Sequence, residues 1–336
     1  MSLENQPTPL PTKSPMKLHE SSGRWRLGLG LSLVTVILWG VLPIALKITL
    51  QALDVYTVTW FRFSLSFGIL VCILGMRQQL PSLEKLRGTS WKLLAVATGF
   101  LSVNYALYLQ GLAQTSPANA QVFIQLAPVL MGLGAIAIFK ERYTLRQWAG
   151  LGILTLGFVV FFHEQLQTVL AAPRTYLIGN IILVIAAAAW AIYALAQKQL
   201  LQQLTSSNIM LLLYGICALL FLPFSSPSNL LNLTPLEWGM LIFSGLNTVV
   251  AYGAFAESLA HWDASKVSAI LATTPIVTLL SVWVISLGIP LPIAPEQLTV
   301  LAIIGAMLVV TGSVAIALGK RPHSPRKPGQ FSQKSG

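Results

Sequence analysis

The chain has 336 residues, 55% of them apolar and only 9% charged, with a formal net charge of +11. An ordinary soluble domain carries roughly 25% charged residues, and so few charges cannot cover the apolar surface of a water-soluble fold of this length. Cys72 and Cys217 are lone thiols in apolar runs and the four histidines are scattered, so neither a disulfide framework nor a metal site is indicated.

Residues 1–24 form a Pro-, Ser- and Lys-containing tail without the apolar content to fold alone. The first apolar run begins near Leu27 and is long enough to span, so a cleavable signal peptide is not expected. Nine further runs follow, and windows of about 20 such residues cross the ~30 Å hydrocarbon core as helices. The predicted spans are 27–46, 55–76, 91–111, 118–139 and 147–162, then 177–197, 208–224, 236–258, 265–287 and 297–318. A basic Pro/Ser/Gly tail closes the chain at 319–336. The runs are apolar on all sides and do not alternate, which excludes a membrane barrel. The expected fold is an all-α polytopic membrane protein of ten helices.

The basic residues are unevenly placed. With the N-terminus inside, 18 of the 21 Lys and Arg fall on one side; Lys47 and Arg174 lie outside and Arg62 within a span. The charge-bias rule then places both termini in the cytoplasm. The net charge is topological, and no nucleic-acid partner is read from it. The lipid bilayer is the partner that composition demands.

The second five spans echo the first five. Trp39 and Lys47 match Trp190 and Lys198 at an offset of 151; Tyr105 and Pro128 match Tyr252 and Pro275 at 147. Glu141, Gly150 and Gly157 match Glu296, Gly305 and Gly312 at 155, after an insertion at 288–295. A unit that crosses five times and repeats must re-enter from the opposite side. The predicted architecture is therefore two inverted five-helix repeats, over 25–163 and 177–318, which places a substrate site at the repeat interface near mid-bilayer.

Several residues are candidates for that site. Pro128 and Pro275 lie inside helices, where each removes a backbone hydrogen bond and bends the helix; the freed carbonyls need a cavity or a partner. Gln121 and Gln125 share a face with Pro128, and Thr274 adjoins Pro275. Such residues line a cavity or glue helices together. Trp39, Tyr105, Tyr108, Trp190, Tyr193 and Tyr252 fall inside spans rather than at their ends, where indole and phenol groups want a partner. They read either as an aromatic cage for an apolar or cationic metabolite or as core packing. Asn104 stands one turn from Tyr108.

Arg62 and Glu257 are the ionisable residues of interest, since charges inside membranes are functional by default. Arg62 can snorkel, pair with carbonyls or counter a substrate carboxylate; Glu257 can couple protons or pair with His261 or Lys266. Gly68, Gly75, Gly132, Gly134, Gly150 and Gly157 are expected to allow close helix contact. No Gly-x4-Gly-Lys-[Ser/Thr] loop is present, so direct ATP drive is not indicated.

These residues resemble the EamA family of the drug/metabolite transporter superfamily. The matching elements are Leu38-Trp39-Gly40, Arg62, Ala127-Pro128-Val129, Lys140-Glu141-Arg142 and the Gly150/Gly157 pair. In the second half they are Ala189-Trp190, Tyr252, Thr274-Pro275-Ile276, Glu296 and the Gly305/Gly312 pair. The departure is at Leu213 or Tyr214, which stand near the place of Arg62. The resemblance implies a cofactor-free secondary transporter, not an enzyme, that exports amino acids or related small molecules across the plasma (inner) membrane. An uncoupled facilitator, a non-transporting sensor or scaffold, and a homodimeric assembly stay open at this point.

Overall fold

A computed structural model describes residues 21–141, 143–161, 163, 174–286 and 299–318. The two tails, Arg142, Glu296 and the 288–295 insertion lie outside the described residues. Among the described residues there are helices and connections and no strand.

The helices are α1 (Trp25–Thr49), α2 (Val55–Met76), α3 (Leu83–Arg87), α4 (Trp91–Gln114), α5 (Pro117–Ile124), α6 (Leu126–Phe139) and α7 (Leu145–Phe161). They continue as α8 (Arg174–Leu200), α9 (Ser206–Phe221), α10 (Pro235–His261), α11 (Ala264–Leu271), α12 (Thr274–Ser286) and α13 (Val300–Ala317). Eight stretches are long and apolar enough to cross a membrane, with α5–α6 and α11–α12 each forming one of them. Two further apolar helices, Leu145–Val160 and Ile303–Ala317, are shorter.

Polar residues fix several helix starts. Asp54 accepts from the backbone of Tyr56 and Thr57 at the head of α2, and Thr205 caps α9. Thr234 and Glu237 form a reciprocal capping box on α10. Each satisfies N–H groups that the first helical turn leaves without a partner.

The prolines place the breaks. A proline cannot donate to the carbonyl four residues back, and its ring clashes there. Four residues before Pro128 is Ile124, where α5 ends; four before Pro275 is Leu271, where α11 ends. Thr274 Oγ1 donates to the Leu271 carbonyl at 2.6 Å. Ala127 occupies the matching place in the first half and has no hydroxyl to give.

A third proline, Pro43, lies inside α1, and the carbonyl it abandons belongs to Trp39. Side chains from three other helices reach this part of α1. Asn247 Nδ2 donates to Leu38 O at 2.7 Å, Gln121 Nε2 to Trp39 O at 3.4 Å, and Thr278 Oγ1 to Gly40 O at 2.8 Å.

Packing pairs the helices in a regular way. α1 runs along α10, α4 along α8, α2 along α9 and α7 along α13. The offsets map α1 onto α8 and α4 onto α10, so the first two pairs exchange. The α7–α13 crossing is closest at its glycines: a methyl on Gly150 would stand 2.9 Å from Gly312 O, and one on Gly157 3.0 Å from Gly305 O. Gly132 is similarly tight, 2.9 Å from Ser268 Oγ. Gly68 and Gly75 do not fit the expectation of close contact, because nothing lies within 4 Å of the methyl position on either. Both sit on exposed faces of α2.

The bundle has two chemically distinct ends. At one, Lys198 Nζ meets Glu141 at 2.8 Å, and Glu141 also accepts the N–H groups of Ala264 and Ser265 at the head of α11. At the other, Lys47 Nζ donates to the carbonyls of Leu112, Ala113 and Thr115 at the end of α4.

Candidate functional site

Between these ends lies a cavity of about 620 Å³, its mouth included. α1 contributes Trp39, α2 Arg62, and α4 Asn104, Tyr105 and Tyr108. The broken α5–α6 helix adds Gln121, Gln125 and Pro128; the second half adds Trp190, Tyr252 and Thr274. Of the residues singled out in the sequence, these converge on one space.

Three do not line it. Tyr193 is fully buried behind the wall, its ring 6.3 Å from both Trp190 and Tyr252. Pro275 breaks its helix without facing the cavity. Glu257 lies at the Lys198 end, bonded to Ser206 and 3.1 Å from His261. Arg62 does not snorkel: only 2% of it is exposed, because Ser244, Thr248 and Tyr105 enclose it.

The aromatic wall is a connected cluster. Trp39 meets Trp190 edge-on with ring centroids 5.6 Å apart and Tyr252 at 4.8 Å, and Tyr105 stands 5.5 Å from Tyr252. Edge-to-face contacts of this kind add to the burial of the rings. Three polar atoms of the wall are buried without a hydrogen-bond partner among the described residues, Trp39 Nε1, the Tyr105 hydroxyl and Gln125 Oε1. In a membrane interior such groups are costly unless something in the cavity pairs with them.

Apolar lining residues escaped the sequence reading, namely Leu42, Leu109, Ile124 and Leu271, and Ala127 entered it only as part of a motif. The repeat register carried a signal for some. Ile124 and Leu271 are mates at 147, and so are Ala127 and Thr274. Leu42 and Leu109 lie one turn beyond Trp39 and Tyr105, with no chemistry to mark them.

One turn nearer the Lys198 end, five of the wall helices each bury a large side chain. Val36, Leu101, Met131, Tyr193 and Phe255 are buried there in a continuous apolar layer. Behind it stand the Lys198–Glu141 pair and Tyr143, whose phenol is pushed up to about 12 by burial first, with the Glu141 and Asp263 carboxylates adding to it. Among the described residues, no group of three or more His, Cys, Asp or Glu could hold a metal ion.

A multi-pass helical bundle with an aromatic and amide cavity between its halves is the build of a membrane transporter. The sequence matches the EamA-like transporter family twice, over residues 26–163 and 177–318, and the chain belongs to that family. It is 39% identical over 296 residues to the uncharacterized inner membrane transporter YhbE of Escherichia coli K12, covering 88% of this chain and 92% of that one. An uncharacterized transporter of Haemophilus influenzae is 36% identical, with 88% and 97% covered. More distantly, a probable amino-acid metabolite efflux pump of Escherichia coli K12 is 24% identical, with 87% and 95% covered. A solved crystal structure, 18% identical, superposes with a TM-score of 0.65 over 87% of this chain and 97% of its own, a likeness of fold.

Proposed function

We propose that this protein is a secondary transporter that exports small organic metabolites, such as amino acids or related compounds, across the inner membrane by alternating access. Its ten helices act as two inverted five-helix repeats, with both termini in the cytoplasm. The observation that carries the reading is the cavity wall, where repeat mates meet: Trp39 with Trp190 and Tyr105 with Tyr252 at 5.6 Å or less. A site on the repeat axis is the place from which one half rocks against the other around a fixed ligand. The glycine crossing of α7 and α13 and the exchanged helix pairs support the same two-fold arrangement.

The test uses purified protein in liposomes loaded with a metabolite mixture, with efflux measured under a proton gradient. The expected result is the loss of a small set of compounds faster than from protein-free vesicles. No such loss overturns the reading, and loss that stops at equal concentrations on both sides makes the protein a facilitator. Sidedness is read separately: a cysteine at Ser332 should react with an impermeant thiol reagent only after cells are opened. Labelling in intact cells reverses the orientation.

A further inference from the structure

Arg62 is a buried cation without an anion. It is 2% exposed and lines the cavity, and among the described residues no carboxylate forms an ion pair with it. Its Nε donates to Thr248 Oγ1 at 3.1 Å and to Ser244 O at 3.3 Å, while the guanidinium carbon sits 4.7 Å from the centre of the Tyr105 ring. One edge and one face of the fork are thus held. The two terminal nitrogens have no hydrogen-bond partner among the described residues. Buried charges without a counter-charge are strongly unfavourable, and a guanidinium fork matches a carboxylate through two parallel bonds.

The rest of the wall sharpens the choice of ligand. Among the described residues, no other cavity-lining side chain is Asp, Glu, His, Lys or Arg, so there Arg62 alone gives the wall its charge. Neutral amides, aromatic faces, aliphatic side chains and the Thr274 hydroxyl supply the rest. Gln125 Oε1, buried and without a partner, offers an acceptor, and the Trp39, Trp190 and Tyr252 rings offer an apolar bed. Leu213 or Tyr214 stands near the repeat position of Arg62, and neither is charged, so the charge lies on one side only.

We propose that Arg62 is the counter-charge for an anionic ligand group, and that the cavity selects organic carboxylates with an apolar body and no ammonium. This narrows the transport reading from amino acids to related compounds that lack the ammonium, and rests on it. An ammonium would face the Arg62 charge with no carboxylate in the wall to hold it. The aromatic faces are available to the ligand's apolar body, and Tyr105 is already engaged by the guanidinium. A cationic metabolite, one occupant that the aromatic residues suggest by themselves, is thereby disfavoured.

The test is calorimetric titration of the full-length protein in detergent with four compounds sharing one phenethyl body. These are 3-phenylpropanoate, 3-phenylpropanamide, phenylalanine and phenethylamine. The expected order places 3-phenylpropanoate at least tenfold tighter than the amide, phenylalanine between, and phenethylamine weakest. Arg62→Gln should bring the carboxylate and the amide within twofold of each other, and Arg62→Lys should keep part of the preference. Equal binding of carboxylate and amide by the unmodified protein, tighter binding of the amine, or no binding of 3-phenylpropanoate overturns the proposal. So does an unchanged preference in Arg62→Gln; if that variant does not fold, the comparison within the unmodified protein decides alone. Binding is measured without transport, so a carboxylate that binds but never crosses vesicles breaks the transport reading and leaves this inference standing. Transport indifferent to ligand charge does the reverse.

Discussion

Asn104, Tyr108, Gln121 and Gln125 line the cavity from the first half, and at the matching positions the second half carries Ala251, Phe255, Ser268 and Ala272. The scaffold does not differ in the same way. Both halves break a helix four residues before a proline, and both send a Trp and a Tyr to the shared wall. The two long helix pairs even use the same positions for their cross-links. Thr35 Oγ1 donates to Ala251 O at 3.2 Å, and Asn104 Nδ2 donates to Ala186 O at 2.9 Å, where 35 mates with 186 and 104 with 251. Helix crossings need backbone acceptors, which any residue supplies, so the donor can sit on either partner. A ligand with unlike ends needs side chains of one kind on one side, and there the halves part.

The two ends of the bundle show the same division. Lys47 and Lys198 are repeat mates, yet Lys47 binds three carbonyls while Lys198, 2% exposed, binds one carboxylate. The largest effect is expected here. Glu141→Gln leaves Lys198 buried and unpaired, which should cost about 3 kcal/mol of stability. Lys47→Met should cost only about 1 kcal/mol, because carbonyl partners are weaker and water can replace the lysine at the exposed Ala113 carbonyl. Unfolding in detergent measures both, and adding Lys198→Met to Glu141→Gln should restore at least half the loss. Equal costs at the two ends would erase the distinction.

Next in size is the shared aromatic wall. Trp39→Leu and Trp190→Leu keep apolar bulk and remove the edge-on ring contact. Each should lower vesicle transport about tenfold, equivalent to ~1.4 kcal/mol, with expression within about twofold of the parent. Normal transport by both variants would make the pair mere packing, and loss in only one would mean that the repeat axis does not pass between them.

The smallest effect tests the unshared wall. Gln121→Ser with Gln125→Ala gives the first half the chemistry of the second. Its expected result is a KM rise of several-fold with little change in maximal rate, as follows when binding common to ground and transition states is removed. Initial rates over a range of substrate concentrations would show it. An unchanged KM would indicate that Gln121 serves the Trp39 carbonyl at the Pro43 site and that neither amide serves the ligand.

Much of this is legible in the amino-acid sequence alone. Trp39, Trp190, Tyr105 and Tyr252 were conspicuous because aromatic polar groups deep in a span need a reason to be there. Tyr193 met the same criterion and lies behind the wall instead. Helical spacing says which residues share a face, and it is silent on how far that face is rotated toward the axis. Glu257 stood out as an acid in an apolar run, but α10 extends to His261, and the carboxylate reaches its partners at the bundle end. Pro43 lies within the first predicted span, but the donors that answer it come from helices far away in sequence, so spacing along the chain does not reveal them.

The sequence by itself determined the membrane-spanning helices, their repeat and the places where two of them break. A bilayer leaves a backbone no choice but internal hydrogen bonds, and proline removes one at a fixed distance. Only the tertiary structure decided that, among the described residues, Arg62 has no acidic partner and Lys198 has one. It also decided that Gly150 and Gly157 touch another helix while Gly68 and Gly75 touch none. Those outcomes depend on which helix lies alongside and at what rotation, and in an apolar chain many faces are equally free to be the buried one.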